Sequence, residues 1–124
     1  MKPRRALEVL AVAAAFATCA WAGEADVVDA KVRRGGSTTF DFDVTVKSVD
    51  QSATYYADAI EVIAPDGKLL GRRELLHSHE DEQPFTRDVY GVRIPAGIEV
   101  VVVRAHHSVK GYDGRTVTVK LPTR

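Results

Sequence analysis

Histidine is the residue type in this chain most able to do chemistry, and its four copies fall in two places. His77 and His79 sit in the stretch HSHEDEQP, and His106 and His107 end the run IEVVVVRAHH. Neutral imidazoles with carboxylates form a ligand set for zinc, copper(II), nickel or iron(II), and two loops on a rigid scaffold can supply the three protein ligands such a site needs. The expected set is His77, His79 and one of His106 and His107, with Glu80 as the neighbouring carboxylate. Adjacent strand residues point to opposite faces, so His106 and His107 could both bind only if their strand has ended before them. The competing reading is a chemically idle, solvated loop end, where Glu80, Asp81 and Glu82 simply keep the chain in water.

Other chemistries find less support. Ser78 and Ser108 lie beside histidines, but neither sits on a recognisable nucleophile turn. A glycosidase needs two carboxylates across a cleft, which a domain this small hardly forms. Gly35-Gly36 lacks the lysine and following helix of a phosphate loop. Seventeen basic residues balance seventeen acidic ones, which removes the electrostatic case for a nucleic-acid partner.

The elements that must position the histidines begin after a leader. Lys2, Arg4 and Arg5 form a basic start, residues 7–17 an apolar stretch broken only by Glu8, and Ala20-Trp21-Ala22 a small-x-small cleavage pattern. Residues 1–22 therefore read as a signal peptide and residues 23–124 as one domain, periplasmic or secreted. The apolar stretch falls short of the roughly 20 residues that span a bilayer, so no transmembrane segment is expected. Cys19 supplies an alternative, the lipidated first residue of a lipoprotein. Phe16-Ala17-Thr18 precede it where an aliphatic residue followed by small ones is usual. Cleavage after Ala22 would leave no cysteine, hence no disulfide and no thiolate.

From Gly23 onward the period is two. Phe40, Phe42, Val44 and Val46 alternate with polar residues, the pattern of a sheet with one dry and one wet face. Val28, Ala30 and Val32 mark an earlier strand; Tyr56, Ile60 and Val62 a later one, reversed by Pro65-Asp66-Gly67-Lys68 into a charged edge strand over residues 69–76. Tyr90, Val92 and Ile94 are the expected inner face of the next. In the valine run Val101, Val103 and Ala105 point inward, which puts His106 on the Arg104 side and His107 toward the core's end. Val117, Val119 and Leu121 close the set. Tyr112, in the loop before it, is either a contact residue or packing over the end.

Seven short strands without a helical period define an all-β, single antiparallel seven-stranded β-sandwich, with an up-and-down barrel as the alternative. The run GVRIPAGIEVVVVRAHHSVKGYDGRTVTVKL resembles immunoglobulin-like and fibronectin type III-like modules, in which a strand, a Pro-x-Gly turn, a long apolar strand, a glycine loop and a final strand follow in that order. The cysteine pair and core tryptophan of antibody domains are absent. The strings EQPFTR, GVRIPAG and VRAHHSVKGY are also similar to small exported bacterial proteins of uncharacterised function. The resemblance to a sandwich implies that the loops after the second, fourth and sixth strands share one end. All four histidines would then meet there with Asp50, Glu80 to Glu82 and Asp113.

Two functions remain. The leading one is a non-catalytic module that binds a protein partner or ligand through this loop end or through an exposed edge strand. The other is a transition-metal-binding protein loaded with zinc, copper or nickel. An enzyme is a distant third.

Overall fold

The computed structural model describes residues 15–17 and 22–123, so the basic start of the leader, the cleavage pattern before Ala22 and Cys19 lie outside the described residues. Eight strands follow in order: β1 (Ala15–Ala17), β2 (Ala25–Arg34), β3 (Thr39–Ser48), β4 (Ala57–Ile63), β5 (Leu69–Glu74), β6 (Phe85–Arg93), β7 (Val100–His107) and β8 (Val117–Lys120). They form two sheets, β2-β3-β6 and β1-β8-β7-β4-β5. Every strand pair is antiparallel. Seven strands arise from the expected domain, and two separate sheets make the architecture sandwich-like rather than a closed barrel. The addition is β1, three residues of the expected leader that pair with β8, Ala15 opposite Val119 and Ala17 opposite Val117.

The core follows the alternation. Phe40, Phe42, Val44 and Val46 of β3 are fully buried and face Val101, Val103 and Ala105 of β7 and Val117 and Val119 of β8 across the sandwich. Each of the valines and phenylalanines among them contributes roughly 1.5–3 kcal/mol when taken out of water. Among the described residues there is no helix, and none therefore long and apolar enough to cross a membrane.

Three departures from simple alternation share one cause. In β6 the expected inner residue Tyr90 is 53% exposed, while Phe85, Val89, Val92 and Ile94 are buried. Phe40 pairs with Val92 but Phe42 with Val89, so Tyr90 and Gly91 together oppose Asp41 as a bulge. Gly91 adopts φ +67°, open to glycine at little cost, and its N–H donates to Asp41 Oδ1 at 2.8 Å. A second bulge turns Val28 outward and leaves Val27, Ala30 and Val32 as the inner residues of β2. A third, at Asp58, makes Ala57 rather than Tyr56 the first inward residue before Ile60 and Val62.

The ends of the sandwich are distinct. The loops after β3, β5 and β7 lie at one end, where β2 also begins: Ala25 pairs with Ser48, the last residue of β3. The tight hairpin at Asp66 lies at the other, closed by Ala64 N–H to Lys68 O at 2.8 Å.

Candidate functional site

The histidine end is knitted by Asp50, whose side chain is wholly buried. Its Oδ1 accepts from Ser48 Oγ at 2.7 Å and from the Ala57 N–H at 3.0 Å; its Oδ2 accepts from the His79 N–H at 2.7 Å. Gln83 closes the same junction, donating from Nε2 to His79 O at 2.9 Å and accepting the Ser48 N–H at 2.8 Å. The convergence of the loops expected from strand order is therefore present, with backbone groups doing the joining.

The side chains diverge. His79 is buried, stacked on Phe85 with ring centres 4.0 Å apart, and its Nε2 lies 3.0 Å from Arg87 Nη2. Since guanidinium only donates, Nε2 accepts and the ring is neutral. Burial lowers the His79 pKa first, and the charge of Arg87 and the neighbouring His77 lower it further, against the opposing pull of Asp50. Its Nδ1 has no hydrogen-bond partner. His77 is exposed, its ring centre 4.6 Å from that of His79. Glu80 is exposed and accepts from Ser78 Oγ at 3.0 Å.

His107 is fully buried and structural in its bonding. Nε2 donates to Val49 O at 3.0 Å, and Nδ1 accepts the N–H groups of Val109 and Lys110 at 3.2 and 3.3 Å. Tyr55 packs edge-on at 4.4 Å. His106 points the other way, as alternation requires, and its Nδ1 lies 2.5 Å from Asp58 Oδ1 beside the Tyr112 ring. At this end of the fold His77 and His79 adjoin, with Glu80 in the same loop, while His107 is turned into the core and His106 lies on the outer face beside Asp58. Among the described residues no group of three His, Cys, Asp or Glu side chains is arranged to hold a metal.

A constellation absent from the sequence reading lies next to His106, on the outer face of the larger sheet. Glu61, only 3% exposed, stands opposite Arg104 of β7 on one side and Arg72 of β5 on the other. Arg104 donates to Glu61 Oε1 from Nε at 2.9 Å and approaches it from Nη2 at 2.8 Å; Arg72 Nη1 bonds Oε2. Tyr112 covers the cluster, donating from Oη to Glu61 Oε2 at 3.0 Å while Arg104 Cζ sits 3.8 Å from its ring centre. Burial pushes the Glu61 pKa up, but the bonds from Arg104, Tyr112 and Arg72 outweigh it and the net shift is downward. The Arg72 pKa is raised, foremost by its bond to Glu74. A glutamate at the centre of a sheet with an arginine on each flanking strand was the available signal, but reading it required the strand register.

No family model matches the chain, and no solved structure matches it. A protein of Halomicrobium mukohataei named "Putative lipoprotein" is 41% identical over 96 residues, 77% of this chain and 47% of the relative. The chain thus spans about half the length of the curated relative it matches.

Proposed function

We propose that the protein is an exported, non-catalytic module of immunoglobulin-like or fibronectin type III-like form, held at a membrane through a lipidated Cys19, that binds a protein partner by strand addition to the edge of β8. The lipid anchor is supported by the name of the Halomicrobium relative together with a single cysteine placed at the end of an apolar leader. The module type is supported by the sheet order β2-β3-β6 against β8-β7-β4-β5.

The observation that carries the binding mode is β1. Leu121 N–H donates to Glu99 O across the β7–β8 pair, so the alternation of an antiparallel ladder turns the N–H groups of Thr118 and Lys120 to the opposite edge. Ala15–Ala17 pairs along that edge. Cleavage before Cys19 or after Ala22 removes those three residues and leaves the edge open to an extended segment of a partner. A non-catalytic role fits the committed side chains: Tyr112 Oη donates to Glu61, and Ser108 Oγ donates to Thr54 O while accepting the Tyr56 N–H.

Two measurements test this reading. The full chain, expressed in a bacterial host that processes lipoproteins, incorporates an alkyne-labelled fatty acid, and Cys19→Ser abolishes the label; an unlabelled wild type rejects the anchor. A photo-crosslinker at Lys120 yields a discrete adduct that Thr118→Pro removes, because proline deletes an outward N–H and spares the β7 ladder. An adduct indifferent to Thr118→Pro rejects strand addition.

A further inference from the structure

Only three residues separate Cys19 from Gly23, which is held at one end of the sandwich. The residues that follow Ala22 are bonded into the fold. Gly23 N–H donates to Asp26 Oδ1 at 2.8 Å, Glu24 N–H to Asp113 Oδ1 at 3.1 Å, and Val49 N–H to Glu24 O at 2.8 Å. Tyr55 Oη closes on Glu24 Oε1 at 2.5 Å. Asp26 is itself buried and its Oδ1 also accepts the Arg115 N–H at 2.7 Å. Gly114 is packed so closely on Ala25 that a Cβ there would lie 1.8 Å from Ala25 O, so the start of β2 is clasped by the loop after β7. These contacts hold Gly23 at the histidine end.

From Cys19 to Gly23 there are four Cα steps, which reach at most about 14 Å when fully extended. The ten residues of β3 alone run about 31 Å along the sandwich. A tether about half that length lets the domain tilt but not turn over. Resting on the lipidated Cys19 proposed above, we infer that the end formed by the loops after β3, β5 and β7 lies against the bilayer surface, with Leu76 and Val109 in contact with lipid headgroups and the hairpin at Asp66 pointing away.

The surface at that end suits the contact. Leu76 is 85% exposed, Val109 58% and Val49 40%, one from each of the three loops, an apolar set open to the surroundings. Glu80, Asp81 and Glu82 are exposed beside them and keep the contact at headgroup depth. The histidine end is then a membrane-facing surface, and the β8 edge, running lengthwise, remains accessible to a partner.

The test uses the full chain processed in a bacterial host. Lipidation consumes the thiol of Cys19, the one cysteine of the sequence, so an introduced cysteine is the single free thiol of each anchored variant. Leu76→Cys, Val109→Cys and Asp66→Cys are treated with a polyethylene-glycol maleimide in isolated membranes and after detergent extraction, and fatty-acid label is scored on the same samples. Modification of Leu76→Cys and Val109→Cys is expected to be at least about fivefold slower in membranes than in detergent, with Asp66→Cys unchanged. Label present with all three positions reacting alike, or with Asp66→Cys the protected one, overturns the orientation and leaves the anchor standing. Absence of label overturns the anchor and the orientation with it. All three positions are exposed, and matching thermal melts in detergent confirm that the variants fold.

Discussion

Asp50 and His79 are joined through the backbone and not through the ring: Asp50 Oδ2 accepts the His79 N–H at 2.7 Å, while His79 Nδ1 stands 3.9 Å from the same oxygen. The aspartate therefore holds the loop without charging the imidazole, and the lowered His79 pKa agrees with that neutrality. In the unfolded chain the imidazole takes up a proton near pH 6.5, and in the folded one only at lower pH. Between those values the unfolded state binds more protons, so stability falls as pH drops from about 7 toward the folded pKa. His79→Phe keeps the stack on Phe85 and should flatten that part of the profile, read by urea denaturation at several pH values. An unchanged slope in the variant would show that His79 is not its source.

Asp50→Ala should loosen the histidine end as a unit. It strands the N–H groups of Ala57 and His79 and the Ser48 hydroxyl, at a cost of about 3 kcal/mol. Hydrogen exchange checks this: the amides of Ala57 and His79 lose protection well beyond any change at Val103 in the core.

Glu61→Ala leaves Arg72, Arg104 and Tyr112 Oη without their shared acceptor. Removing one partner of a buried pair costs 3–5 kcal/mol, and because both arginines are about a third exposed the expected loss is about 2–3 kcal/mol. The folded Glu61 pKa is depressed, so its contribution is present above the unfolded glutamate value of about 4.3 and is lost as pH falls through the folded one. Wild type and variant should therefore converge in stability in acid, in denaturation curves taken from pH 6 to pH 2.

Gly91→Ala forces a side chain onto φ +67° at the β6 bulge, and about 1–2 kcal/mol of destabilisation follows although nothing lies within reach of the new Cβ. Gly91→Asn should cost less, since asparagine tolerates that region. Equal losses in guanidinium midpoints would point to sterics instead of backbone conformation.

His106 and His107 point away from the adjoining His77 and His79, so no third histidine completes a ligand set, and calorimetric titration of the untagged protein with zinc, copper(II) or nickel should find no one-to-one site at micromolar affinity. Such a site, lost in the His77→Ala/His79→Ala double variant, would mean that residues 77–82 rearrange to build it.

Sequence pattern revealed most of the frame. The alternation through Phe40 and Val46 and the valine run of β7 needed no tertiary information, and strand order alone placed the loops of His79 and His107 at one end. Parity failed where an extra residue enters a strand, at Val28, Asp58 and Tyr90, because one bulge reverses every inward assignment beyond it. Gly91 carried a hint, since glycine inside a strand often marks such a place. Side-chain direction decided the site, and periodicity does not encode it in loops: Asp50 and Gln83 bind backbone, and His107 turns inward to tie two loops. Glu61 became legible only once the register set Arg72 and Arg104 on either side of it.

The burial of Glu61 gives the domain two classes of electrostatics with respect to salt. The pairs Lys31–Asp29, Arg33–Asp43 and Arg73–Asp88 stand half in water. At 1 M ionic strength the screening length contracts to about 3 Å, so brine mutes such exposed pairs. Beneath Tyr112 counter-ions have little access, and Glu61 keeps its hold on Arg72 and Arg104. Concentrated electrolyte therefore strips the domain's outer charge pairing while its central sheet stays cross-linked.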